Sequence, residues 1–395
     1  MERLTRSLFR IGAHKMSDSF SRDGFAFNSF FGGAQSGSSS DFFEQAAKKP
    51  GTLIISDSVL RQSNFQTEIA RLTAAGWRMV SHSGEPSMSS ISESLRSLEG
   101  ANLSRIVAIG GGSVIDAAKI LRAFSSAPEL FSATNLNRKL ELRNDSTPDF
   151  FLAIPTTIGS GSEVSSSALI RNDNDKKTAI FGKSLIPSEV IFDPALVATN
   201  SDAQLARSLS DAFSHSIESY LSLLKNPVAE NFAVDAARGI INNVQSVIAR
   251  DEEAIARAQI YASVSGRCQD VMLVGPMHGI AHGLSMPHGL GIAITMPFVV
   301  NWYCRVGGEV SDKLNDFLSL VGISLDELED FFKVLVGYSD LASFDFASIG
   351  DLNNLQNDAS EDPSARLSPV PLSVEMIDSF KEYLISLSGM DKSHV

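Results

Sequence analysis

The chain has 395 residues, of which 43% are hydrophobic and 20% are charged, and its formal net charge is -13 at pH 7. This length favours two globular domains, and the acidic balance argues against a nucleic-acid partner, because phosphates require a basic surface. Two cysteines cannot form a disulfide framework. No apolar run reaches the roughly 18 residues of a membrane helix. We therefore expect a cytoplasmic protein without membrane contact.

The first sixteen residues are basic, with Arg3, Arg6, Arg10 and Lys15 against a single acid, Glu2. This composition faintly resembles a transit peptide, but a basic N-terminal arm is the favoured interpretation. Residues 17–41, rich in Ser, Gly and Phe, are predicted to form loops and turns.

Strand and helix patterns alternate from residue 52 onward. Short apolar runs predict strands at 53–55, 78–80, 105–109 and 150–154, and helical spacing predicts helices over 59–77, over 87–98 and after Gly112. This alternation predicts a parallel sheet with right-handed crossovers, which is a Rossmann-like α/β arrangement. Residues 164–193 alternate short β-prone runs with polar turns.

The pattern changes near residue 200, where strand signals nearly vanish after a predicted hinge at Asp193-Pro194. We therefore predict two domains, a Rossmann-like domain over 1–197 and an all-helical domain over 198–395. The predicted helices of the second domain are 203–223, 228–248, 251–268, 275–285, 310–320, 325–336 and 373–387. An irregular connection is predicted over 357–371.

A glycine turn follows the third predicted strand, with the residues Gly110, Gly111, Gly112 and Ser113. Glycine allows close approach of an anion to the backbone, and a helix N-terminus offers unpaired N–H groups, so this turn is a candidate phosphate site. A tight structural turn, or a capping box made by Ser113 and Asp116, is the alternative.

Two further segments lie at predicted strand ends, where ligands bind in open parallel sheets. Asp57 could bind a ribose diol and would repel a 2′-phosphate, or it could simply cap the next helix. Thr156 and Thr157 begin a hydroxyl-rich loop that is either a ligand contact or a Gly- and Ser-rich turn.

Histidines cluster in the second half of the chain. Asp211 and His215 are four residues apart in a helical pattern, as are His278 and His282, so each pair shares one helix face. His288 is predicted to lie in the turn after the second helix. One carboxylate and several imidazoles could enclose a divalent ion and leave a position for substrate, although a single histidine is more often structural.

Four motifs together resemble the iron-containing alcohol dehydrogenase family. They are Ile109–Lys119 (IGGGSVIDAAK), Ile154–Val164 (IPTTIGSGSEV), Asp211–Ser219 (DAFSHSIES) and residues 278–297. The resemblance covers about residues 25–390 in order. It implies a Rossmann-like N-terminal domain and an all-α C-terminal domain with the active site in the cleft between them.

The resemblance also implies a role for each matching residue. The implied metal ligands are Asp211, His215, His278 and His288, and His282 matches a histidine near the nicotinamide that handles a proton. The implied cofactor contacts are Asp57, Gly110, Gly111, Gly112, Ser113, Thr156, Thr157 and Lys177.

The implied function is metal-dependent, NAD(P)-linked transfer of a hydride between the nicotinamide and an alcohol or aldehyde carbon. NAD is favoured over NADP, and Fe(II) over Zn. The expected partners are a small alcohol or aldehyde and a second copy of the chain in a homodimer. The alternatives are a dehydroquinate-synthase-like lyase that uses NAD transiently, a metal-free reductase of the maleylacetate type, and a non-catalytic nucleotide-binding protein.

The sequence departs from the family pattern in three places, one of which is Ser160, where Thr is common. About four residues are missing between Leu284 and Pro287, so the segment that carries His288 takes a shorter path and could reshape the substrate pocket. Glu85-Pro86-Ser87 replaces the more usual Asn-Pro-Thr after the second strand.

Overall fold

A computed structural model describes residues 49–126, 140–141, 150–172, 177–349, 355 and 368–388. The predicted basic arm, the predicted loops over 17–41 and most of the connection predicted over 357–371 lie outside the described residues. The described residues divide into two compact units. The first contains residues 49–157 and 161–197, and the second contains residues 158–160 and those from 198 onward.

The first unit contains a five-stranded parallel sheet. Its strands are β1 (Thr52–Ser56), β2 (Arg78–His82), β3 (Arg105–Gly110), β5 (Phe150–Pro155) and β8 (Glu189–Val190), and their order is β2-β1-β3-β5-β8. A smaller sheet consists of β4 (Leu140–Glu141), β6 (Ser167–Arg171) and β7 (Lys177–Phe181). Its order is β4-β7-β6, with β6 and β7 antiparallel.

The three central strands of the large sheet, β1, β3 and β5, are buried on both faces. Along β3, Ile106 and Ala108 contribute to one apolar cluster, while Val107 and Ile109 contribute to another. A parallel strand covered on both sides must be apolar at every position, which explains why β3 has a continuous apolar run instead of an alternating one.

The helices of the first unit are α1 (Asp57–Leu60), α2 (Ser63–Ala74), α3 (Met88–Ser97), α4 (Gly112–Ser126) and α5 (Pro194–Ala198). The single helix predicted over 59–77 is therefore wrong in its bounds. It is split into α1 and α2, and α2 ends before Gly76, whose φ of +87° is left-handed. The Trp77 N–H donates to the Leu72 carbonyl at 3.0 Å and closes this helix end.

The second unit is helical throughout its described residues, apart from connecting turns. Its helices are α6 (Asp202–Leu221), α7 (Pro227–Ile248), α8 (Glu252–Met272), α9 (Pro276–His282), α10 (His288–Val306), α11 (Glu309–Val321), α12 (Leu325–Tyr338) and α13 (Val374–Ser388). Helix α6 is central, because it packs against α7, α8, α10, α11 and α12. The parallel sheet and the helical second half confirm the predicted fold class.

Helix α10 was not predicted, and this changes the position of His288. His288 is the first residue of α10 and does not lie in a turn. The helix was missed because it contains Gly289, Gly291 and Pro297, which disfavour helix in isolation. Packing explains the glycine at 289, since a β-carbon there would lie 2.6 Å from the Arg207 carbonyl oxygen.

None of the helices in the described part of the chain combines the length and the apolar character needed to cross a membrane.

Candidate functional site

Four predicted metal ligands meet in the second unit around one carboxylate oxygen. Asp211 Oδ1 lies 3.5 Å from Nε2 of His215, 3.4 Å from Nε2 of His278 and 3.4 Å from Nε2 of His288. Helix α6 supplies Asp211 and His215 from one face, while α9 supplies His278 and the first turn of α10 supplies His288. The site therefore depends on three separate helices.

These distances fit a shared cation. Ligand atoms about 2.1 Å from a tetrahedral ion lie about 3.4 Å from one another, which agrees with the three separations. Asp211 Oδ1 and His278 Nε2 are buried and lack a hydrogen-bond partner among the described residues, a costly arrangement that a cation would relieve. Candidate ligand atoms of Asp211, His278 and His288 all lie within 4.8 Å of one another, whereas His215 falls outside this group. His215 is close to the group through its 3.5 Å distance from Asp211 Oδ1.

The protonation states of three of these residues suit metal binding. Burial lowers the pKa of His215 to about 3 and that of His288 to about 4, so both imidazoles are neutral near pH 7. Burial would raise the pKa of Asp211, but its electrostatic interactions with the His215 and His288 side chains outweigh burial and hold that pKa well below its usual range. A carboxylate with neutral imidazoles is a donor set that divalent ions bind.

His278 differs from the other two histidines. Burial lowers its pKa, but the carboxylates of Glu218 and Asp211 outweigh this effect and raise the pKa to about 9. Without a cation, His278 therefore holds an extra proton that a metal ion would displace.

Glu218 is a functional candidate that the sequence interpretation missed. Its Oε2 lies 2.7 Å from His278 Nδ1, and its Oε1 accepts the Met277 N–H at 2.6 Å. The available signal was its spacing, since Glu218 follows Asp211 by seven residues and His215 by three and so lies on the same face of α6.

His282 lies beside the cluster. Its ring stacks on His288 with centroids 5.0 Å apart and meets His278 edge-on with centroids 5.9 Å apart. Its side chain is half-buried, in contrast to the buried His278 one helical turn earlier. This position suits a group that exchanges protons near the candidate metal site.

In the first unit, the glycine turn lies at the topological switch point of the sheet. The chain runs from β1 to β2 on one side and then to β3 on the other, so the crevice forms at the carboxyl ends of β1 and β3. Strand β3 ends at Gly110 and α4 begins at Gly112. This helix start presents backbone N–H groups that lack intrahelical partners.

The two threonines are adjacent to the glycine turn. The Thr156 N–H donates to the Gly110 carbonyl at 3.0 Å. A β-carbon at Gly111 would lie 3.3 Å from Thr157 Cγ2, and one at Gly110 would overlap Val114 at 2.6 Å. Close packing therefore requires glycine at 110.

Neither Asp57 nor Ser113 has the helix-capping role that was the structural alternative to ligand binding. Ser56, and not Asp57, caps α1, since its side chain accepts the Val59 N–H. The proposed capping box of Ser113 and Asp116 is absent, because α4 already begins at Gly112 and Asp116 Oδ2 accepts the Leu169 N–H at 2.9 Å. Asp57 follows β1 directly and is half-buried at the carboxyl edge of the sheet.

Lys177 is the first residue of β7 and pairs with an acid of this chain. Its Nζ lies 2.6 Å from Glu85 Oε1, while Arg171 Nε lies 2.6 Å from Glu85 Oε2. Burial raises the pKa of Glu85, but Lys177 and Arg171 outweigh it and lower that pKa below its usual value. Glu85, which replaces the more usual Asn after the second strand, thus forms ion pairs with the side chains of both Lys177 and Arg171.

The sequence profiles of one family cover most of the chain. The iron-containing alcohol dehydrogenase profile matches residues 28–194, and the profile of the family's C-terminal domain matches residues 205–343. The chain belongs to the iron-containing alcohol dehydrogenase family. This finding confirms the resemblance inferred from the four motifs.

Individual relatives agree with this assignment. An aldehyde-alcohol dehydrogenase of Streptococcus pneumoniae is 27% identical over 55% of the chain, although the chain spans only 26% of that longer protein. An iron-containing alcohol dehydrogenase of Thermococcus thioreducens is 25% identical, with a TM-score of 0.73 over 90% of this chain and 97% of that one. A sulfoacetaldehyde reductase of Bifidobacterium kashiwanohense, solved with NAD+, shares the fold at 20% identity and a TM-score of 0.69, over 89% of this chain and 94% of that one.

Proposed function

We propose that the protein is a metal-dependent alcohol dehydrogenase or aldehyde reductase that uses NAD, with NADP less favoured. The observation that carries this proposal is the buried Asp211 carboxylate with three imidazole nitrogens at 3.4–3.5 Å. Membership in the iron-containing alcohol dehydrogenase family supports Fe(II) as the ion, while the same ligands would also accept Zn.

Asp211, His215, His278 and His288 would hold the ion. When bound, a divalent ion polarises the oxygen of an alcohol or carbonyl and lowers the pKa of the alcohol. The neutral imidazoles of His215 and His288 keep their lone pairs available for this role near pH 7.

His282 would transfer the proton that an alcohol loses or a carbonyl gains. It stacks on His288 and is half-buried, so it adjoins the candidate ligands and retains access to solvent. An imidazole can both accept and donate a proton, which suits this exchange.

The glycine turn of the first unit would bind the dinucleotide. The backbone of Gly110–Ser113 would receive the pyrophosphate at the start of α4, and Thr156 and Thr157 would flank it. Asp57 would accept hydrogen bonds from the ribose and repel a 2′-phosphate, which favours NAD. The NAD+ complex of a reductase with the same fold supports this assignment.

Lys177 would reach the cofactor from a position already stabilised by Glu85. Its ammonium group has three donors, so it can keep one ion pair while it binds a phosphate or a ribose oxygen. The ion pair with Glu85 would then limit the side-chain conformations of Lys177 before the cofactor binds.

The test is metal- and dinucleotide-dependent turnover of the purified protein. The chain is freed of metal, reloaded with Fe(II) without oxygen or with Zn, and mixed with NADH and a panel of aldehydes. We expect net NADH oxidation with metal and little without it, and His278→Ala should be inactive under both conditions. A lyase that uses NAD transiently would show no net oxidation, and failure to bind either metal or dinucleotide would refute the proposal.

A further inference from the structure

Glu218 uses both carboxylate oxygens on a single neighbouring helix. Oε2 lies 2.7 Å from His278 Nδ1, and Oε1 accepts the backbone N–H of Met277 at 2.6 Å. The side chain is only 2% exposed. A buried carboxylate is costly unless it is fully paired, and these two donors supply that pairing.

The bond to His278 fixes which nitrogen faces the candidate metal site. A carboxylate can only accept, so Nδ1 must carry the proton in this contact. Nε2 then faces Asp211 Oδ1 at 3.4 Å and can present its lone pair to a cation. Hydrogen bonds of this kind orient a histidine ligand and increase its basicity.

The bond to Met277 fixes the helix that carries the ligand. Helix α9 begins at Pro276 after Gly275, which offers no side-chain cap, and Glu218 supplies that acceptor from α6. A β-carbon at Gly275 would lie 3.0 Å from Glu218 Oε1, so the carboxylate fits closely against the backbone there.

We propose that Glu218 is a positioning residue of the metal centre, which holds His278 in the tautomer that binds through Nε2 and fixes the start of α9. This inference rests on the proposed metal-dependent function. Helix α6 then supplies two ligands, Asp211 and His215, and also the residue that orients a third. Since α9 carries His282 as well, the same contact sets the position of the proposed proton-transfer residue.

Two substitutions separate orientation of the ligand from simple support of the fold. Glu218→Gln keeps one carbonyl oxygen, but its NH2 group can only donate, so it can satisfy one of the two donors at most. Glu218→Ala satisfies neither. The matched control is Ser219→Ala on the same helix, because the buried Ser219 hydroxyl has no hydrogen-bond partner among the described residues.

The experiment measures the affinity for Co2+ by competition with a chromophoric chelator, together with the visible spectrum of the bound Co2+. Binding of NADH and the melting temperature of the metal-free protein report whether each variant is folded. We expect Glu218→Ala to weaken Co2+ binding by roughly 10–100-fold and to change its spectrum. Glu218→Gln should lie between Glu218→Ala and the wild type, and Ser219→Ala should match the wild type.

The proposal is overturned if folded Glu218 variants bind Co2+ with the wild-type affinity and spectrum and differ only in melting temperature. If Glu218→Ala does not fold, Glu218→Gln decides by the same criteria. Failure of the wild type to bind Co2+, Fe(II) or Zn would overturn the proposed function and this inference together. Normal metal binding by the wild type with unaffected variants would overturn this inference alone.

Discussion

Asp211 supplies the negative charge around which three histidines lie. Its Oδ1 is close to the Nε2 atoms of all three, so one oxygen would be the common neighbour of every other ligand. The carboxylate is buried, and its Oδ1 has no hydrogen-bond partner among the described residues. Among the four proposed ligands, Asp211 would therefore supply the only negative charge that attracts a divalent ion.

Asp211→Asn should remove most metal affinity while leaving the size of the side chain unchanged. We expect the metal affinity to fall by more than the roughly 10–100-fold that is typical when a residue hydrogen-bonded to a ligand is mutated. The measurement is Zn binding by chelator competition. The control is Asp312→Asn, which removes an equal charge from an exposed position on α11. Equal affinities in the two variants would show that Asp211 is not a ligand.

Metal affinity should rise with pH because of His278. Its pKa of about 9 means that the metal-free protein holds a proton there at pH 7, and the ion must displace that proton. His215 and His288, with pKa values of about 3 and 4, are already neutral and contribute no further protons. Between about pH 6.5 and 8, affinity should rise by about tenfold per pH unit, since one proton is released per ion.

Zn affinity measured at several pH values in matched buffers checks this slope. A slope near zero would mean that His278 is neutral before the ion arrives. A slope near two would mean that a second ligand is also protonated.

At the scale of single elements, sequence spacing was enough to predict which side chains share a face when both residues belong to one helix. The interval between Asp211 and His215 predicted a shared face of α6, and both side chains meet at the candidate metal site. Glu218 was missed because a glutamate in a helix has no distinctive pattern, and its partner His278 lies 60 residues later. Only the packing of α9 against α6 shows the contact.

Helix α10, in contrast, could not be predicted from its local sequence. Gly289 and Gly291 lower its local helix propensity, yet close packing leaves no room for a β-carbon at 289 and little room for one at 291. A β-carbon at Gly291 would lie 3.2 Å from the β-carbon of Ala281, in the helix that carries His278. Tertiary packing therefore determines this helix, and single-sequence periodicity could not predict that His288 begins it.

Two glycines in helices should respond in opposite ways to alanine. A β-carbon at Gly239 of α7 would lie 2.3 Å from the Tyr261 ring of α8, whereas one at Gly337 of α12 meets no atom within 4 Å. Gly239→Ala should lower the free energy of unfolding by about 1–3 kcal/mol. Gly337→Ala should raise it by about 0.5–1 kcal/mol through helix propensity. Urea denaturation measures both, and equal effects would contradict the packing of α7 on α8.

At the scale of the whole molecule, the candidate sites use different residues. The glycine turn, Asp57 and the two threonines belong to the first unit, and the four candidate metal ligands belong to the second. Each unit also has its own buried core. The fold class was predictable for this reason, since each half of the sequence shows the periodicity of its own unit.

The two binding functions should therefore be separable by mutation. Gly111→Val would place a branched side chain against Thr157, where even a β-carbon lies 3.3 Å away, and we expect it to abolish NADH binding but to leave Zn binding intact. His278→Ala should do the reverse. Fluorescence titration with NADH and chelator competition with Zn measure the two affinities. Loss of both in either variant, with the fold intact by circular dichroism, would contradict this separation.

The most direct test of the central claim is transfer of deuterium to an aldehyde from NADH that carries deuterium at both C4 positions of the nicotinamide. The Fe(II)-loaded protein should yield an alcohol with one deuterium on the carbinol carbon, and the metal-free protein and Asp211→Asn should yield almost none. Product without deuterium, or equal transfer with and without metal, would contradict the assignment of Asp211, His215, His278 and His288 as the centre of an NAD-linked alcohol dehydrogenase.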